Sequence, residues 1–415
     1  MPTYGLMSAW GLFQVYWASH QLRDSPYGSA VPWIGSLFGF LGCLFGLLGG
    51  VVLDSGGPWL QRGVLCVSCA VYWAAFLALA WCSTYAQYMA CFVVAGIGSA
   101  VPTTAAFVVV DQVLTMTPGT PDNNRPNTSC KAYKAVAIGL VSTGAPLGGL
   151  LASLSMRALF ARHAWQVSML WLSSMIGILL AVGCLLAGPS MGMRGGARKR
   201  EKEKKEARVT TGTWDLRHFA DHGFLMFTAC VFVFEFVLYT QWGSLPFFAA
   251  SVGVGDVFYI QMTYNLGAIP GRTLPSWLAA RTASHKIGGV FDVTLGMTAL
   301  TILTVFVVWL PFGETSAAAL YIVAFLMGVG TGSFVPLSAT CLSELCNGRG
   351  YGKWLGSCYA VVGFASLIGN PVNQALIKTA GPRFSVAFQG ILLALALVLC
   401  ILVRVSVKRT ASAPK

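Results

Sequence analysis

Apolar residues form long unbroken runs along this chain, and polar and charged residues are confined to short stretches between them. An apolar run of about 18 residues or more predicts a transmembrane helix, because about 20 residues at a rise of about 1.5 Å cross a hydrocarbon core of about 30 Å. The runs lack the alternation of barrel strands, so helices remain as the structure that satisfies the backbone in lipid. Charges and turn residues delimit twelve predicted helices, over residues 3–20, 31–53, 63–82, 87–110, 135–156, 165–188, 222–250, 256–280, 288–312, 316–343, 354–380 and 384–403.

These predicted helices fall into two sets of six with a polar stretch between them. We predict an all-α polytopic membrane protein whose twelve transmembrane helices form two pseudo-symmetric six-helix bundles. The N-terminal bundle is expected over 1–190, a charged cytoplasmic linker over 191–221, and the C-terminal bundle with a short cytoplasmic tail over 222–415. The first apolar run lacks a basic flank and a small-residue cleavage site, so we expect it to remain as a helix.

Composition and charge set the orientation. Hydrophobic residues make up 56% of the chain and charged residues only 10%, whereas about a quarter of a soluble protein is charged. The stretch "RGGARKREKEKKEAR", residues 194–208, holds eight Lys or Arg and three Glu. With both termini inside, 22 of the 27 Lys and Arg lie on cytoplasmic segments, as the positive-inside rule requires. We predict a multi-pass protein of the plasma membrane with both termini cytoplasmic.

The basic linker raises the alternative of nucleic-acid binding. Its Glu residues and its lack of interleaved aromatic residues argue against that function and for attraction to anionic lipid headgroups. We therefore expect the lipid bilayer and a small-molecule substrate as partners, with protons as a further candidate and no nucleic acid. Nothing in the sequence fixes the oligomeric state, and we expect a functional monomer.

Enzymatic alternatives have weak support. "HFADH" sets His218 and His222 four residues apart with Asp221 beside them, but no third metal ligand follows. "GRGYGKW", residues 348–354, lacks the spacing and the hydroxyl residue of a phosphate-binding loop. The cysteines are scattered through the apolar runs, as is typical of small core residues. We predict no enzyme, no metal and no cofactor, and a channel or receptor remains an alternative to a carrier.

Two predicted helices in corresponding places of the two bundles share a pattern of small residues and proline. The helix over 135–156 contains "GLVSTGAPLGGLL", and the helix over 354–380 contains "GFASLIGNPVNQALI". Glycine lets helices approach closely, and proline frees a carbonyl and bends the helix axis. The resulting candidates for packing or hinge positions are Gly139, Gly144, Pro146, Gly369 and Pro371.

The chain resembles the major facilitator superfamily, and within it the fungal-type monocarboxylate porter family. The resemblance covers nearly the whole chain and rests on four stretches: "VPWIGSLFGFLGCLFGLLGGVVLD", "AIGLVSTGAPLGG", "NLGAIPGRTLPSWLA" and "LGSCYAVVGFASLIGNPVNQALI". It implies two six-helix bundles around a central cavity and transport by alternating access, coupled to protons or to the substrate gradient. Animal members carry an acidic residue four positions before an Arg in the third stretch, where this chain has Ala268 and Arg272.

Ionisable residues inside the membrane are costly, so each is a functional hypothesis. Glu235, within "CVFVFEFVLYTQWG", is the first candidate for a protonatable or substrate-gating group. Arg272 is the second, because a guanidinium can hold a carboxylate by two parallel bonds, and Glu235 on the preceding helix is a candidate partner for it. Structural pairing of either residue is the alternative. Further candidates for the substrate cavity are Gln14, Tyr16, Tyr264, Asn265 and Asn370.

Three acidic residues at predicted cytoplasmic helix ends, Asp54, Asp111 and Glu344, are candidates for a gate made of ion pairs. The sequence as a whole predicts a secondary transporter that works by alternating access. The loss of the acidic residue at Ala268 favours export of a secondary metabolite or organic anion. Proton-coupled uptake of a small monocarboxylate is the alternative, and a membrane enzyme is the third possibility.

Overall fold

A computed structural model describes residues 2–23, 30–55, 58–116, 136–190, 219–282, 289–346 and 351–412. Within these ranges every secondary-structure element is a helix, as the sequence predicts. The helices are α1 Pro2–Ser8, α2 Trp10–Ser19, α3 Val31–Ser55, α4 Pro58–Ala78, α5 Tyr85–Met116, α6 Gly144–Phe160, α7 Trp165–Ser190, α8 His222–Val252, α9 Val257–Thr282, α10 Val290–Leu303, α11 Ala317–Leu345, α12 Tyr351–Thr379 and α13 Pro382–Ser412.

The structure interrupts three helices that the sequence predicts as continuous. The first predicted helix is divided at Ala9 into α1 and α2. The fifth begins with a helical segment over 136–142 and restarts at Gly144 as α6. The ninth continues from α10 through a π-helical segment, Thr304–Trp309, and a short turn to Phe312. Several ends also extend beyond the predicted ones, as at α13, because apolar and basic residues there can continue a helix.

The first two interruptions free backbone carbonyls for side chains of another helix. At Ala9 the Leu12 N–H bonds to the Ala9 carbonyl, and the Ser8 carbonyl accepts a bond from the Gln261 side chain. At the start of α6, Pro146 has no N–H for the Ser142 carbonyl four residues earlier. Both carbonyls therefore face α9 as hydrogen-bond acceptors.

Nine of the described helices are long and apolar enough to cross a membrane, judged by length and composition. α9 does not reach that threshold, and it carries Gln261, Asn265 and Arg272 on buried positions. Polar side chains inside a membrane bundle mark functional positions more often than structural ones. α9 thus holds three of the seven candidate site residues, more than any other helix.

Helix contacts in the first six predicted segments match those in the last six. α1 packs on α6 as α8 packs on α12, α3 packs on α5 as α9 packs on α11, and α4 packs on α7 as α10 packs on α13. Glycines allow several of these close approaches, as where Gly328 lies against the backbone of Tyr264. We call residues 2–190 the N-terminal half and residues 219–412 the C-terminal half.

Two long contacts join the halves, the α6–α9 seam and the α3–α12 seam, and α2 adds a contact with α8. What we call the outer end is formed by the ends of α2, α4, α6, α8 and α12, the turn to Phe312 that continues α10, and the starts of the helices that follow. Hydrogen bonds across neighbouring loops hold it together, including Tyr85 to the Ala30 carbonyl at 3.2 Å and Trp165 to the Leu79 carbonyl at 3.0 Å.

Candidate functional site

Arg272 lies on α9 at the α6–α9 seam, and its side chain is buried. Its Nη1 donates a hydrogen bond to the Ser142 carbonyl, the acceptor that Pro146 leaves free. The Nε of Arg272 has no hydrogen-bond partner among the described residues. The guanidinium is thus fixed by one nitrogen and keeps a donor for an incoming acceptor, and a carboxylate or carbonyl oxygen fits that requirement.

Glu235 lies in the middle of α8 and is 2% exposed. Its Oε1 has no hydrogen-bond partner within the described ranges. The neighbouring Phe234 stacks on Phe334 with ring centroids 3.7 Å apart, which closes one side of the position. An isolated carboxylate in such surroundings is costly, so the residue requires a proton, a ligand or a nearby positive charge.

The charges of Glu235 and Arg272 interact with each other and with Tyr4, so these groups share one electrostatic environment. Both residues are described, and no direct ion pair joins them. Tyr4 and Tyr239 lie between α1 and α8 with their hydroxyls 3.3 Å apart. The partnership of Glu235 and Arg272 therefore stays a prediction.

A second polar group joins α1 to α9. The Ser8 hydroxyl donates to Asn265 Oδ1 at 3.0 Å, and Asn265 Nδ2 donates to the Gln261 carbonyl at 3.0 Å. Gly149 provides the space, because a Cβ there would collide with the Ser8 and Asn265 side chains. Asn265 therefore lies where α1, α6 and α9 meet. Tyr264 turns to the other side of α9, and its hydroxyl bonds to Thr331 of α11 at 2.7 Å.

Asn370 on α12 makes the corresponding contacts at the other seam. Its Nδ2 donates to Gln14 Oε1 at 3.3 Å and to the Pro32 carbonyl at 3.4 Å. Its Oδ1 accepts bonds from Ser244 at 3.1 Å and from Gln374 at 2.9 Å. One amide thus links α2, α3, α8 and α12, and it brings Gln14 and Asn370 into contact.

A cavity of about 20 Å³ lies beside Asn370, between the two halves, and a volume of this size holds about one water molecule. Its walls include three aromatic residues, Trp10, Tyr239 and Trp242. The Trp10 indole N–H and the Ser36 hydroxyl, which also lines the cavity, have no hydrogen-bond partner in the described structure. The seam therefore contains a small pocket with aromatic walls and unused polar groups.

Tyr16 lies apart from this group. It stacks on His20 with ring centroids 4.2 Å apart and on Trp165 at 5.6 Å, within the aromatic packing of the outer end. Its neighbours give it a packing role there, and it contributes to the outer wall of the N-terminal half.

The ion pair that joins the halves at the outer end is absent from the sequence-based candidates. Arg157 Nε lies 3.1 Å from Asp256 Oδ2, and the Arg157 guanidinium lies 4.1 Å from the Tyr259 ring centroid. Asp256 also caps α9, because its Oδ1 accepts the Phe258 N–H at 2.9 Å. An Asp just before an apolar helix predicts such a cap, whereas its partner 99 residues earlier cannot be found from local sequence.

Of the three predicted gate residues, Glu344 alone has a described side chain. The side chains of Asp54 and Asp111 lie outside the described residues. Glu344 is exposed in the last turn of α11. The gate formed by these three residues stays a prediction.

Two of the predicted packing residues, Gly139 and Gly369, lie at close helix contacts. Gly139 faces the Arg272 carbonyl at the α6–α9 seam, where a Cβ would lie 2.8 Å from that oxygen. Gly369 faces Thr240 and the Phe236 carbonyl within the C-terminal half. Gly144 begins α6, and Pro371 lies inside α12. Gly139 and Gly369 therefore allow the close approach of α9 and α12 to their partners.

The histidine motif has a structural explanation in part. Asp221 caps α8, accepting the Gly223 N–H at 2.7 Å, while His218 lies outside the described residues. No group of three or more His, Cys, Asp or Glu residues within the described ranges could hold a metal ion.

Known proteins with similar sequences and a similar fold are transporters of the membrane. A sequence model of the Major Facilitator Superfamily matches residues 293–415. MFS-type transporter hasB of Aspergillus fumigatus is 28% identical over 92% of this chain and 81% of its own length. Agnestins efflux protein AgnL12 of Paecilomyces divaricatus is 22% identical over 97% of this chain and 84% of its own length.

The human organic anion transporter MFSD10 (TETRAN) has a similar structure, with a TM-score of 0.61 over 94% of this chain and 89% of that chain. Its sequence is only 15% identical, so the likeness concerns the fold. The C-terminal part of the chain matches the Major Facilitator Superfamily model, and along most of its length the chain is similar to proteins named MFS-type transporters.

Proposed function

We propose that this protein is a secondary carrier that exports an oxygenated organic metabolite by alternating access of its two halves. The observation that carries the proposal is the buried Arg272 guanidinium, which is fixed to the Ser142 carbonyl of the opposite half and keeps an unused Nε donor. A group that touches both halves and a substrate can couple binding to the movement of the halves.

The chemistry of the seam favours an aromatic metabolite with acidic or carbonyl oxygens. Arg272 offers a donor to a carboxylate or a ring oxygen. At the α3–α12 seam, Trp10, Tyr239 and Trp242 offer flat apolar surfaces, and the Trp10 indole N–H and the Ser36 hydroxyl offer hydrogen bonds beside them. Aromatic side chains and a few converging polar groups are typical of small-molecule sites. The efflux named for the agnestins relative adds support for export over uptake.

We infer that Glu235 carries the proton exchanged for substrate. Its burial and its unpartnered Oε1 make the charged form costly unless Arg272 or a ligand is near. The positive charge of Arg272 acts on it through space, so binding of an anion at Arg272 weakens the support for a charged Glu235. Substrate and proton are thereby linked through one electrostatic site.

For the architecture, we propose twelve transmembrane helices in two six-helix halves, a charged linker over 191–221 between them, and membership of the fungal-type monocarboxylate porter family. The matched helix contacts of the two halves support this division. The distribution of Lys and Arg supports cytoplasmic termini in the plasma membrane, which makes the outer end extracellular. We propose a monomer as the working unit.

The alternative function is proton-coupled uptake of a small monocarboxylate. Arg272 would serve such a substrate equally well, but Ala268 stands where an acidic partner is expected in that function. In the structure this side of α9 packs closely on Gly332 of α11, with Ala268 Cβ 3.1 Å from the position of an added Cβ. That surface is occupied by helix packing and is not available for proton transfer.

An untargeted comparison of metabolites in medium and cells, with the gene present, deleted and restored, tests the function. We expect at least one aromatic metabolite to accumulate in deleted cells and to disappear from their medium. Membrane vesicles then provide the mechanism: a carrier shows saturable uptake that preloaded substrate accelerates. If the distribution of metabolites is unchanged, and cells that carry the gene remove a monocarboxylate from the medium faster than deleted cells do, the uptake function is favoured.

The same vesicles test the role of Glu235. A pH gradient should accelerate wild-type transport, and Glu235→Gln should abolish that acceleration while substrate exchange between the two faces continues. Gradient dependence that persists in Glu235→Gln would exclude this residue as the proton carrier.

A further inference from the structure

We propose that Cys82 and Cys91 form a disulfide bond at the outer end of the N-terminal half. The inference rests on the orientation proposed above, in which the outer end is extracellular. It concerns a site separate from the substrate seam and assigns a covalent modification to the turn between α4 and α5.

The two sulfur atoms already lie together. Cys82 Sγ and Cys91 Sγ are 3.5 Å apart, about 1.5 Å more than the length of a disulfide bond. Cys82 follows the short 3-10 helix Leu79–Trp81, and Cys91 lies in the second turn of α5. Small side-chain movements would therefore bring the sulfurs to bonding distance.

Hydrogen bonds fix the turn that carries Cys82. The Tyr88 hydroxyl donates to the Cys82 carbonyl at 2.8 Å. Gln87 Oε1 accepts the Ser83 N–H at 2.9 Å and the Thr84 N–H at 3.1 Å. These bonds join the turn to the first turn of α5, so the proximity of the sulfurs is built into the local backbone.

The surroundings allow oxidation. Cys82 and Cys91 are half-buried, and Ser83 and Thr84 between them are exposed. Disulfides form and persist in the secretory pathway and at the cell surface, where the outer end would lie. An exchange catalyst can reach a thiol at the rim of the bundle more readily than one inside it.

The chain contains its own reference pair. Cys69 of α4 and Cys184 of α7 also have sulfur atoms 3.5 Å apart. Cys69 lies near the middle of α4, and Cys184 lies six residues before the end of α7, so the pair lies away from the outer end. In the proposed orientation it is out of reach of the oxidising compartment. The same sulfur distance should therefore give a disulfide in one place and two thiols in the other.

The oxidant is an oxidised dithiol–disulfide exchange protein of the secretory pathway. The thiolate of one cysteine attacks a sulfur of its disulfide, which forms a mixed disulfide and releases one thiolate of the catalyst. The thiolate of the second cysteine then attacks the first cysteine's sulfur and releases the other thiolate. The two protons lost by the cysteines pass to the catalyst, which leaves as its reduced dithiol.

Two-stage alkylation of the full-length protein tests the proposal. Membranes from expressing cells are denatured in iodoacetamide, then reduced, then treated with N-ethylmaleimide, and cysteine peptides are identified by mass spectrometry. We expect Cys82 and Cys91 to remain unlabelled by iodoacetamide and to react with N-ethylmaleimide after reduction. Cys69 and Cys184 should carry the iodoacetamide label. First-stage labelling of both Cys82 and Cys91 would overturn the proposal.

Two variants complete the test. In Cys82→Ser, iodoacetamide should label Cys91. If Cys91 stays protected, its partner is another cysteine and the proposal fails. Thr315→Cys places a new thiol on the exposed turn before α11, at the outer end. A membrane-impermeant maleimide should label it in intact cells. If the cysteine at position 315 is labelled but Cys82 and Cys91 are reduced, the disulfide is rejected and the orientation stands. If the cysteine at position 315 is not labelled, the orientation on which the disulfide rests is rejected.

Discussion

The α6–α9 seam and the α3–α12 seam join the same two halves with different chemistry. The α6–α9 seam contains charged groups at two levels, Arg272 near its middle and the Arg157–Asp256 pair at the outer end. The α3–α12 seam is joined by uncharged groups, including the Phe40 and Phe364 rings at 5.2 Å and the Asn370 amide. Related helices have therefore acquired different tasks in the two halves.

The glycines at corresponding positions show the same difference. Gly139 precedes α6 and Gly363 lies on α12, and in both places a Ser hydroxyl bonds back to the glycine carbonyl, at 2.7 Å for Ser142 and 2.8 Å for Ser366. A Cβ at Gly139 would lie 2.8 Å from the Arg272 carbonyl, whereas one at Gly363 would lie no closer than 3.5 Å to Phe40. At these positions the α6–α9 seam is tight and polar, and the α3–α12 seam has space for a methyl group.

Substitution of Arg272 should give the largest effect, because it removes the charged group at the centre of the tight seam. Loss of a charge-assisted hydrogen bond costs about 1.5–3 kcal/mol, which predicts about a 10- to 150-fold loss of transport below saturation for Arg272→Ala. Arg272→Lys should recover little, since an ammonium lacks the planar fork. Transport in vesicles, normalised to protein in the membrane, measures the effect.

Arg281→Ala is the matched control on the same helix. Arg281 is exposed and lies over the Trp277 ring at 4.1 Å, away from the seam. Its substitution should leave transport near wild type. Equal losses in Arg272→Ala and Arg281→Ala would show that the charge of α9 matters and that the seam position does not.

The sequence predicts much of this difference and misses a specific part of it. The run lengths predict the helices, and the isolated charges predict that Glu235 and Arg272 matter, because both features follow from the cost of polarity in lipid. The proline at 146 indicates a free carbonyl, yet its acceptor role toward Arg272 requires the packing of two distant helices. In the sequence Arg157 and Asp256 are ordinary charges at the ends of predicted helices, and only tertiary structure pairs them.

Helix interruptions show the same limit. The break at Ala9 occurs in a uniformly apolar segment, where the pattern predicts a continuous helix. The structure uses the break to offer the Ser8 carbonyl to Gln261. Local periodicity cannot predict a feature whose compensation comes from another helix.

Alanine at the two equivalent glycines should separate the seams with an intermediate effect. Gly139→Ala forces the Arg272 backbone or α6 to shift, at a cost of about 1 kcal/mol or more. The population of the conformation in which the α6–α9 seam is closed should fall by about fivefold or more, and transport should fall with it. Gly363→Ala adds a methyl at ordinary contact distance and should leave transport unchanged. Equal behaviour of the two variants would remove the distinction between the seams.

The smallest effect is expected at the outer end, where Arg157 and Asp256 have side chains 42% and 35% exposed. Such a pair contributes about 0.2–1 kcal/mol, so Asp256→Asn should open the outer part of the α6–α9 seam by about 1.5- to 5-fold. A reporter cysteine at Phe258, which packs across the seam on Phe160, measures the opening by its rate of labelling from outside. Cys82→Ser and Cys91→Ser are included to remove the cysteines of the outer end.

Glu314→Gln is the control for this change, because the Arg383–Glu314 pair at 3.7 Å also lies at the outer end but joins elements of one half. Loss of an ion pair within a half leaves the distance between the halves unaltered, so the labelling rate at position 258 should stay constant. The asparagine at 256 can still cap α9, which confines the change to the bond with Arg157. Faster labelling in Asp256→Asn but not in Glu314→Gln would identify the Arg157–Asp256 pair as an outer latch of the α6–α9 seam. Equal rates in both variants and the wild type would leave closure of the outer end to the glycine contacts and the Asn265 group.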